Sequence, residues 1–183
     1  MKTMKKTFKK SMVLFTLLAA FAMIFTGCKK DSASSSGGDT PTPPTPPTPG
    51  NYGTVVCGDN QFDIIAGGYT VEYDDELEVN YVAIALVDRI DSSDATKAAV
   101  IAIPFYDAIP TGSFSLTMEP EAEGDGQLIV TTGGDQFFLG KKGSVNITKS
   151  GSNYKIVANA VVMDYAMTES SCSVNFEGPL VTE

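Results

Sequence analysis

Histidine and tryptophan are absent from this 183-residue chain, so its reactive inventory is carboxylates, hydroxyls and three cysteines. Losing histidine removes the usual general base and the commonest metal ligand, and with them the ordinary catalytic triad and zinc site. There is no Gly-x-Ser-x-Gly elbow, and Gly133-Gly134-Asp135 lacks the lysine and following helix of a phosphate loop, so it reads as a turn. Enzyme chemistry shrinks to paired carboxylates, because two acids alone can hydrolyse a glycosidic bond. The acids gather at Glu72, Asp74, Asp75, Glu76 and Glu78, and again at Glu119, Glu121, Glu123 and Asp125. Calcium takes about six to eight oxygen ligands, and Glu121, Glu123 and Asp125, interleaved with Gly124 and Gly126, have the composition of a loop that wraps such an ion. The spacing is not that of an EF-hand, and loops kept soluble by charge are the simpler reading of both clusters.

Cys57 and Cys172 stand near the two ends of the C-terminal region. In an exported protein such a pair is expected to form a disulfide; in a reducing setting the same pair would be two buried thiols. A catalytic cysteine needs a partner base, and the histidine that usually serves is missing. Sugar binding would need an exposed aromatic face with polar neighbours. Tyr52, Tyr69, Tyr73, Tyr81, Tyr106 and Tyr165 are available, and Tyr106 and Tyr165 fit the surrounding alternation least, which makes them the candidates for ligand contact. Tyr154 lies on the apolar face of its segment and is expected in the core.

The elements that must position these residues are strands. Val145 and Ile147 share one face and Asn146 and Thr148 the other, the period of two of a half-buried strand. Ser150-Gly151-Ser152-Asn153 supplies turn formers, and Tyr154, Ile156 and Ala158 resume the apolar face, giving a hairpin. Further strands are predicted over 54–57, 61–72, 79–88, 98–105, 113–118, 127–131, 136–139 and 171–177, with turn signals between nearly all of them. The continuous apolar runs 82–87 and 100–103 predict two central strands covered on both faces. No helical period persists, although 94–99 has room for one turn. Short strands at this spacing predict an all-β domain over 51–183, an antiparallel β-sandwich or, as the second choice, a small calycin-like barrel. A composition of 43% hydrophobic and 19% charged residues supports one core of that size.

The front of the chain reads as an address. Lys2, Lys5, Lys6, Lys9 and Lys10 precede an apolar run from Met12 to Phe25 broken only by Thr16. That is the order of a secretory signal peptide, and the run is shorter than the roughly 18–20 residues of a spanning helix. Phe25-Thr26-Gly27-Cys28 resembles the lipobox of bacterial lipoproteins, with Phe where Leu is usual. The resemblance implies removal of 1–27 and acylation of Cys28, and two or more acyl chains anchor a protein stably. Residues 29–50 hold no hydrophobic side chain except Ala33 and cannot offset the entropy of folding. Pro41, Pro43, Pro44, Pro46, Pro47 and Pro49 make the latter part a semi-rigid spacer of about 30 Å.

A second resemblance lies further on. Pro110-Thr111-Gly112-Ser113-Phe114-Ser115-Leu116, Gly143-Ser144-Val145-Asn146-Ile147-Thr148, Tyr154-Lys155-Ile156 and Gly178-Pro179-Leu180 resemble an all-β module of uncharacterised Bacteroidetes lipoproteins. It covers about residues 110–180, and its motifs are turn glycines and core-facing aromatics, so it implies fold and setting but no site. With it, Lys29-Lys30-Asp31 after the lipidated cysteine implies the outer membrane, facing the cell surface or the periplasm. Asp31-Ser32-Ala33 resembles the O-glycosylation motif of the same bacteria, at Ser32. The formal charge of −9, which removal of the leader's five lysines takes to −14, excludes nucleic acid as a partner. The expected partners are the membrane, through the anchor, and a glycan or envelope protein. A non-catalytic binding module is the leading expectation, with a small carboxylate-dependent glycan hydrolase and a structural envelope or pilus-associated component as alternatives.

Overall fold

A computed structural model describes residues 50–74, 78–89, 97–133 and 136–182. The leader, Cys28, Ser32 and the proline-rich spacer lie outside the described residues, as do 94–96 of the helical turn expected over 94–99, whose Ala98 and Ala99 are in a strand instead. Among the described residues every regular element is a strand. In chain order these are β1 (Gly53–Cys57), β2 (Asn60–Ile64), β3 (Ala66–Asp74), β4 (Val79–Val87), β5 (Ala98–Pro104), β6 (Gly112–Thr117), β7 (Asp125–Thr131), β8 (Phe137–Ser150), β9 (Asn153–Met163), β10 (Glu169–Pro179) and β11 (Val181–Thr182).

The all-β expectation holds, and the strands join one sheet that is not clearly divided into the two layers of an antiparallel sandwich. All eleven strands belong to one strongly curled, mixed sheet, a half-barrel, in the order β11-β3-β4-β5-β7-β6-β8-β9-β10-β1-β2. Two pairings, β6 with β7 and β11 with β3, are parallel. The reason is visible at one residue. The segment 61–72 reads as a single strand, yet it is β2 and β3 joined by Ile65 alone, and the two halves pair with different neighbours. β2 is laddered to β1, whereas the Ile65 N–H already donates to the Val87 carbonyl of β4 at 2.9 Å. One strand thus serves both flanks of the sheet and draws them around a shared interior. Strand twist makes such curling the natural course for a sheet this wide.

Alternation decides what fills that interior. Val55, Cys57, Ile64, Val82, Ile84, Leu86, Ile101, Leu128, Val145, Ile147, Ile156 and Val174 all face it and are fully or almost fully buried. Each buried aliphatic side chain contributes about 1.5–3 kcal/mol relative to exposure. The outward faces of the two halves differ. On β8, β9 and β10 the outward residues Ser144, Asn146, Lys155, Asn159 and Asn175 are exposed, so these strands show clean alternation. On β4, β5 and β7 the outward Ala83, Ala85, Val100, Ala102 and Ile129 are buried although they do not belong to the interior cluster. The continuous apolar runs therefore carry the meaning expected of them, burial on both faces.

One further departure from the expected elements concerns β8, whereas the expected disulfide is present. The segments around 136–139 and 143–150 are one fourteen-residue strand, kept continuous by a bulge between Gly140 and Lys142. The bulge turns Lys141 out of the ladder, as an extra residue on one strand must. Cys57 and Cys172 are direct partners in the β1–β10 register and are joined by a disulfide, both facing the interior. Tyr154 is buried as expected, with the Lys149 ammonium 5.0 Å above its ring.

Candidate functional site

Of the two tyrosines that break the alternation, the fold exposes one and packs the other. Tyr106, after β5, is half-buried and meets Phe114 edge-on, ring centroids 5.8 Å apart at 88°. It packs against the interior cluster beside Phe114. Tyr165 is 66% exposed and lies nearly parallel to Phe137 at 5.3 Å and 24°. Stacking on a second ring fixes the plane of an exposed aromatic without burying its outer face.

The platform is built by two turns. Between β9 and β10, the Asp164 N–H donates to the Thr168 carbonyl at 3.2 Å, and the Met167 N–H donates to the Asp164 carbonyl at 3.0 Å. The Asp164 carboxylate accepts the Thr168 N–H at 2.8 Å, and Met167 takes a left-handed φ of 64°. Asp at the head of a turn, bonding its own backbone a few residues on, is a local choice made by the sequence. It holds Tyr165 at the tip, with the exposed Met167 beside it in sequence. On the facing side, Thr132 donates to the Gln136 side chain at 2.8 Å and its N–H to the Gln136 carbonyl at 3.3 Å, which sets the entry of Phe137 into β8.

Charged and apolar groups continue the same surface. Leu139, Met163 and Glu169 are successive partners across β8, β9 and β10. The bulged Lys141 is ion-paired to Glu169, and the ammonium holds the Glu169 carboxyl below the usual carboxylate range. That direction is opposite to the one a general acid requires. The arrangement is an exposed aromatic stacked on Phe137, with the Lys141–Glu169 ion pair further along β8 and β10. Phe137, Met167 and the Lys141–Glu169 pair were not singled out by sequence reasoning. The stack needs two turns to meet and the ion pair needs the bulge, so neither has a local signal.

The other expected groups fall elsewhere. Asp125 Oδ2 accepts the N–H groups of Glu121 at 3.3 Å and Ala122 at 3.2 Å, so the carboxylate closes its own turn ahead of β7. Glu121 and Glu123 are exposed. Among the described residues no three acidic or cysteine side chains converge as a cation site. Ser152-x-x-Lys155 has the spacing of a serine–lysine dyad, but it lies on a turn and the start of β9, and the Lys155 ammonium pairs with Glu177 at 3.1 Å.

In the first acidic cluster, the Tyr81 hydroxyl donates to Glu72 at 2.9 Å, and burial together with that carboxylate pushes the phenol well above its ordinary value of 10.0. A folded-state pKa raised above the unfolded one stabilises the fold fully below the unfolded value and loses that contribution as pH rises past it. The melting temperature is therefore expected to fall above about pH 10. Tyr81→Phe should flatten that alkaline limb in thermal scans between about pH 9 and 12, since it removes the titrating group. An unchanged limb would assign the fall to other groups. Comparison of the chain with protein-family models, curated proteins and solved structures gave no match.

Proposed function

We propose that the protein is a lipid-anchored component of the outer membrane, moored through Cys28 and a spacer ending near Gly50, whose β domain is a non-catalytic binding module for a glycan. The charged then apolar leader and Phe25-Thr26-Gly27-Cys28 support the anchor. One observation carries the binding reading: Tyr165, 66% exposed, is held flat on Phe137 at the tip of a hydrogen-bonded turn. A pyranose lays its C–H face on such a ring, and its hydroxyls hydrogen-bond to charged neighbours such as Lys141 and Glu169. A flat platform with few contacts fits affinities nearer millimolar than nanomolar. Among the two architectures expected of the sequence, we read the curl as a calycin-like barrel left partly open, supported by the strand that serves both flanks through Ile65.

The test is a glycan array probed with the chain carrying Cys28→Ser, alongside Tyr165→Ala. Binding to a defined glycan class is expected, reduced by about tenfold or more in the variant, a loss of roughly 1.4 kcal/mol. Because Tyr165 is exposed, the melting temperature should stay within about 1 °C of its starting value. Glycan binding that survives Tyr165→Ala would remove the platform from the account. In the native host, metabolic labelling with palmitate is expected for the wild-type chain and absent for Cys28→Ser.

A further inference from the structure

Two hairpins that are distant in the sheet order meet at one end of the half-barrel. Tyr154, near the start of β9, pairs with Lys149 of β8 on one side and with Gly178 of β10 on the other. Shortly after Gly178 the chain enters β11, where Val181 pairs with Gly68 of β3 and Thr182 with Tyr69. Residues 178–182 thus join the two flanks and bring Tyr69 beside Tyr154. Both rings pack with the interior cluster, Tyr154 buried and Tyr69 half-buried.

A charged side chain faces the interior at this end. Ile147 is buried in the interior, and alternation puts Lys149 on the same side, where its ammonium stands 5.0 Å above the Tyr154 ring. Hydrogen bonding to Tyr154, with a smaller contribution from Tyr69, raises the Lys149 amine above its ordinary value of 10.5, so the group stays an ammonium at neutral pH. Beyond Tyr69 the inner face of β3 continues as an apolar wall. Val71 and Tyr73 share the face of Tyr69 by their register with Val82 and Asn80, and are 39% and 58% exposed. Phe105, which follows β5, donates its N–H to the Asn80 carbonyl at 2.7 Å and is 41% exposed with φ at 73°. Bulky residues rarely adopt that backbone, and folds keep it where the side chain has a use. Glu72 and Asp74 fall on the opposite face of β3, where Glu72 accepts the Tyr81 hydroxyl.

We propose that this mouth of the half-barrel binds a medium-chain carboxylate, its acid group on the Lys149 ammonium beside Tyr69 and Tyr154 and its chain along Val71, Tyr73 and Phe105. An ammonium flanked by phenolic hydroxyls gives charge-assisted hydrogen bonds to a carboxylate, and the exposed wall is apolar surface that a chain takes out of water. A neutral chain would forgo the first and a small anion the second, so an amphiphile with one negative end is the chemistry that uses both. From Tyr69 to Tyr73 the wall runs about 13 Å at the rise of a strand, the length of a chain of roughly ten carbons. The mouth of a barrel is a common place for such a ligand. It lies at the end of β9 away from Tyr165 and does not depend on that platform.

The probe is decanoate, kept below its micelle-forming concentration and titrated into the full chain carrying Cys28→Ser, with calorimetry and amide NMR shifts as readouts. One saturable site is expected, with shift changes over residues 69–73 and 147–154. Lys149→Met keeps the apolar stem and removes the charge; it should weaken binding about tenfold or more at an unchanged melting temperature, since Lys149 is exposed. Val71→Asp should weaken it similarly by setting a like charge on the wall. Decanol should bind the wild type about tenfold or more weakly than decanoate, and Tyr165→Ala should leave decanoate binding unaltered. No saturable binding, equal decanoate binding to Lys149→Met or Val71→Asp, equal binding of decanol and decanoate, or shifts confined to residues away from the mouth would each overturn the proposal. Loss of the glycan response with decanoate binding intact would overturn only the platform.

Discussion

Gly143→Ala is expected to unfold the domain or come close to it. A β carbon at Gly143 would sit 2.2 Å from the Asn159 carbonyl oxygen and 2.6 Å from the Ala160 α carbon. Both are main-chain atoms of β9, so no side chain can swing away to make room. The position lies just beyond the bulge at Lys141, opposite Ala160 of β9 and Leu116 of β6. Moving β9 outward would strain one of the two longest ladders of the sheet and the burial of Val145 and Ala158 with it. Overpacking with some relief costs about 1–3 kcal/mol, and a main-chain collision in a central ladder belongs above that range, at about 3 kcal/mol or more. Domains of this kind hold only about 5–15 kcal/mol in all. Gly151 is the control: its φ is 61° but nothing lies within 4 Å of a β carbon there, so Gly151→Ala should cost only about 1 kcal/mol. Urea denaturation of the two variants separates the cases. A loss at Gly143 no larger than at Gly151 would show that β8 and β9 part easily at the bulge.

Removing the disulfide is the second large effect. The bond between Cys57 and Cys172 spans 115 residues. The chain-entropy treatment gives about 4.8 kcal/mol for a loop of that length, and native disulfides measure about 2–5 kcal/mol. The bond also ties β1, with the edge strand β2 beyond it, to β10. The double variant C57A/C172A should therefore melt roughly 10 °C lower, and reductant should lower the wild type similarly while leaving the variant unchanged. Both sulfurs are buried, so the check on oxidation belongs in denaturant, where alkylation without reductant should label neither. Labelling of Cys57 or Cys172 under those conditions would show free thiols.

Most strands were legible because one residue in two faces the interior on β8, β9 and β10, and because β4 from Val82 onward and β5 are continuously apolar. Turn residues at Gly58-Asp59, Pro110-Thr111 and Gly151-Ser152 separate elements where the chain reverses. The change of partner at Ile65 carries no turn former; its trace is a shift of the inward residues from even positions in β2, Phe62 and Ile64, to odd positions in β3, Tyr69 and Val71. The nearby Gly67 and Gly68 point to the wrong place for it; Gly67 is small because Leu180 and Phe176 crowd it. Tyr106 and Tyr165 looked alike as residues outside the alternation. One follows a strand that turns back onto Phe114, and the other tips a hairpin. Phe105 looked like the end of a strand, and its left-handed backbone became visible only in the fold.

By itself the sequence determined most of the strand content, the absence of histidine chemistry and the candidacy of Cys57 and Cys172 for a disulfide, and the acylated leader is proposed from it alone. These follow from side-chain type and from a period of two, which are local. The tertiary structure alone decided that the strands make one curled sheet, that Tyr165 lies on Phe137, that Lys141 meets Glu169, and that β11 pairs with Gly68 and Tyr69 of β3. Each depends on which strands lie side by side. Hydrogen bonding between strands uses main-chain groups that every residue carries, so the choice of neighbour is set by the packing of the whole interior and not by any short stretch of sequence.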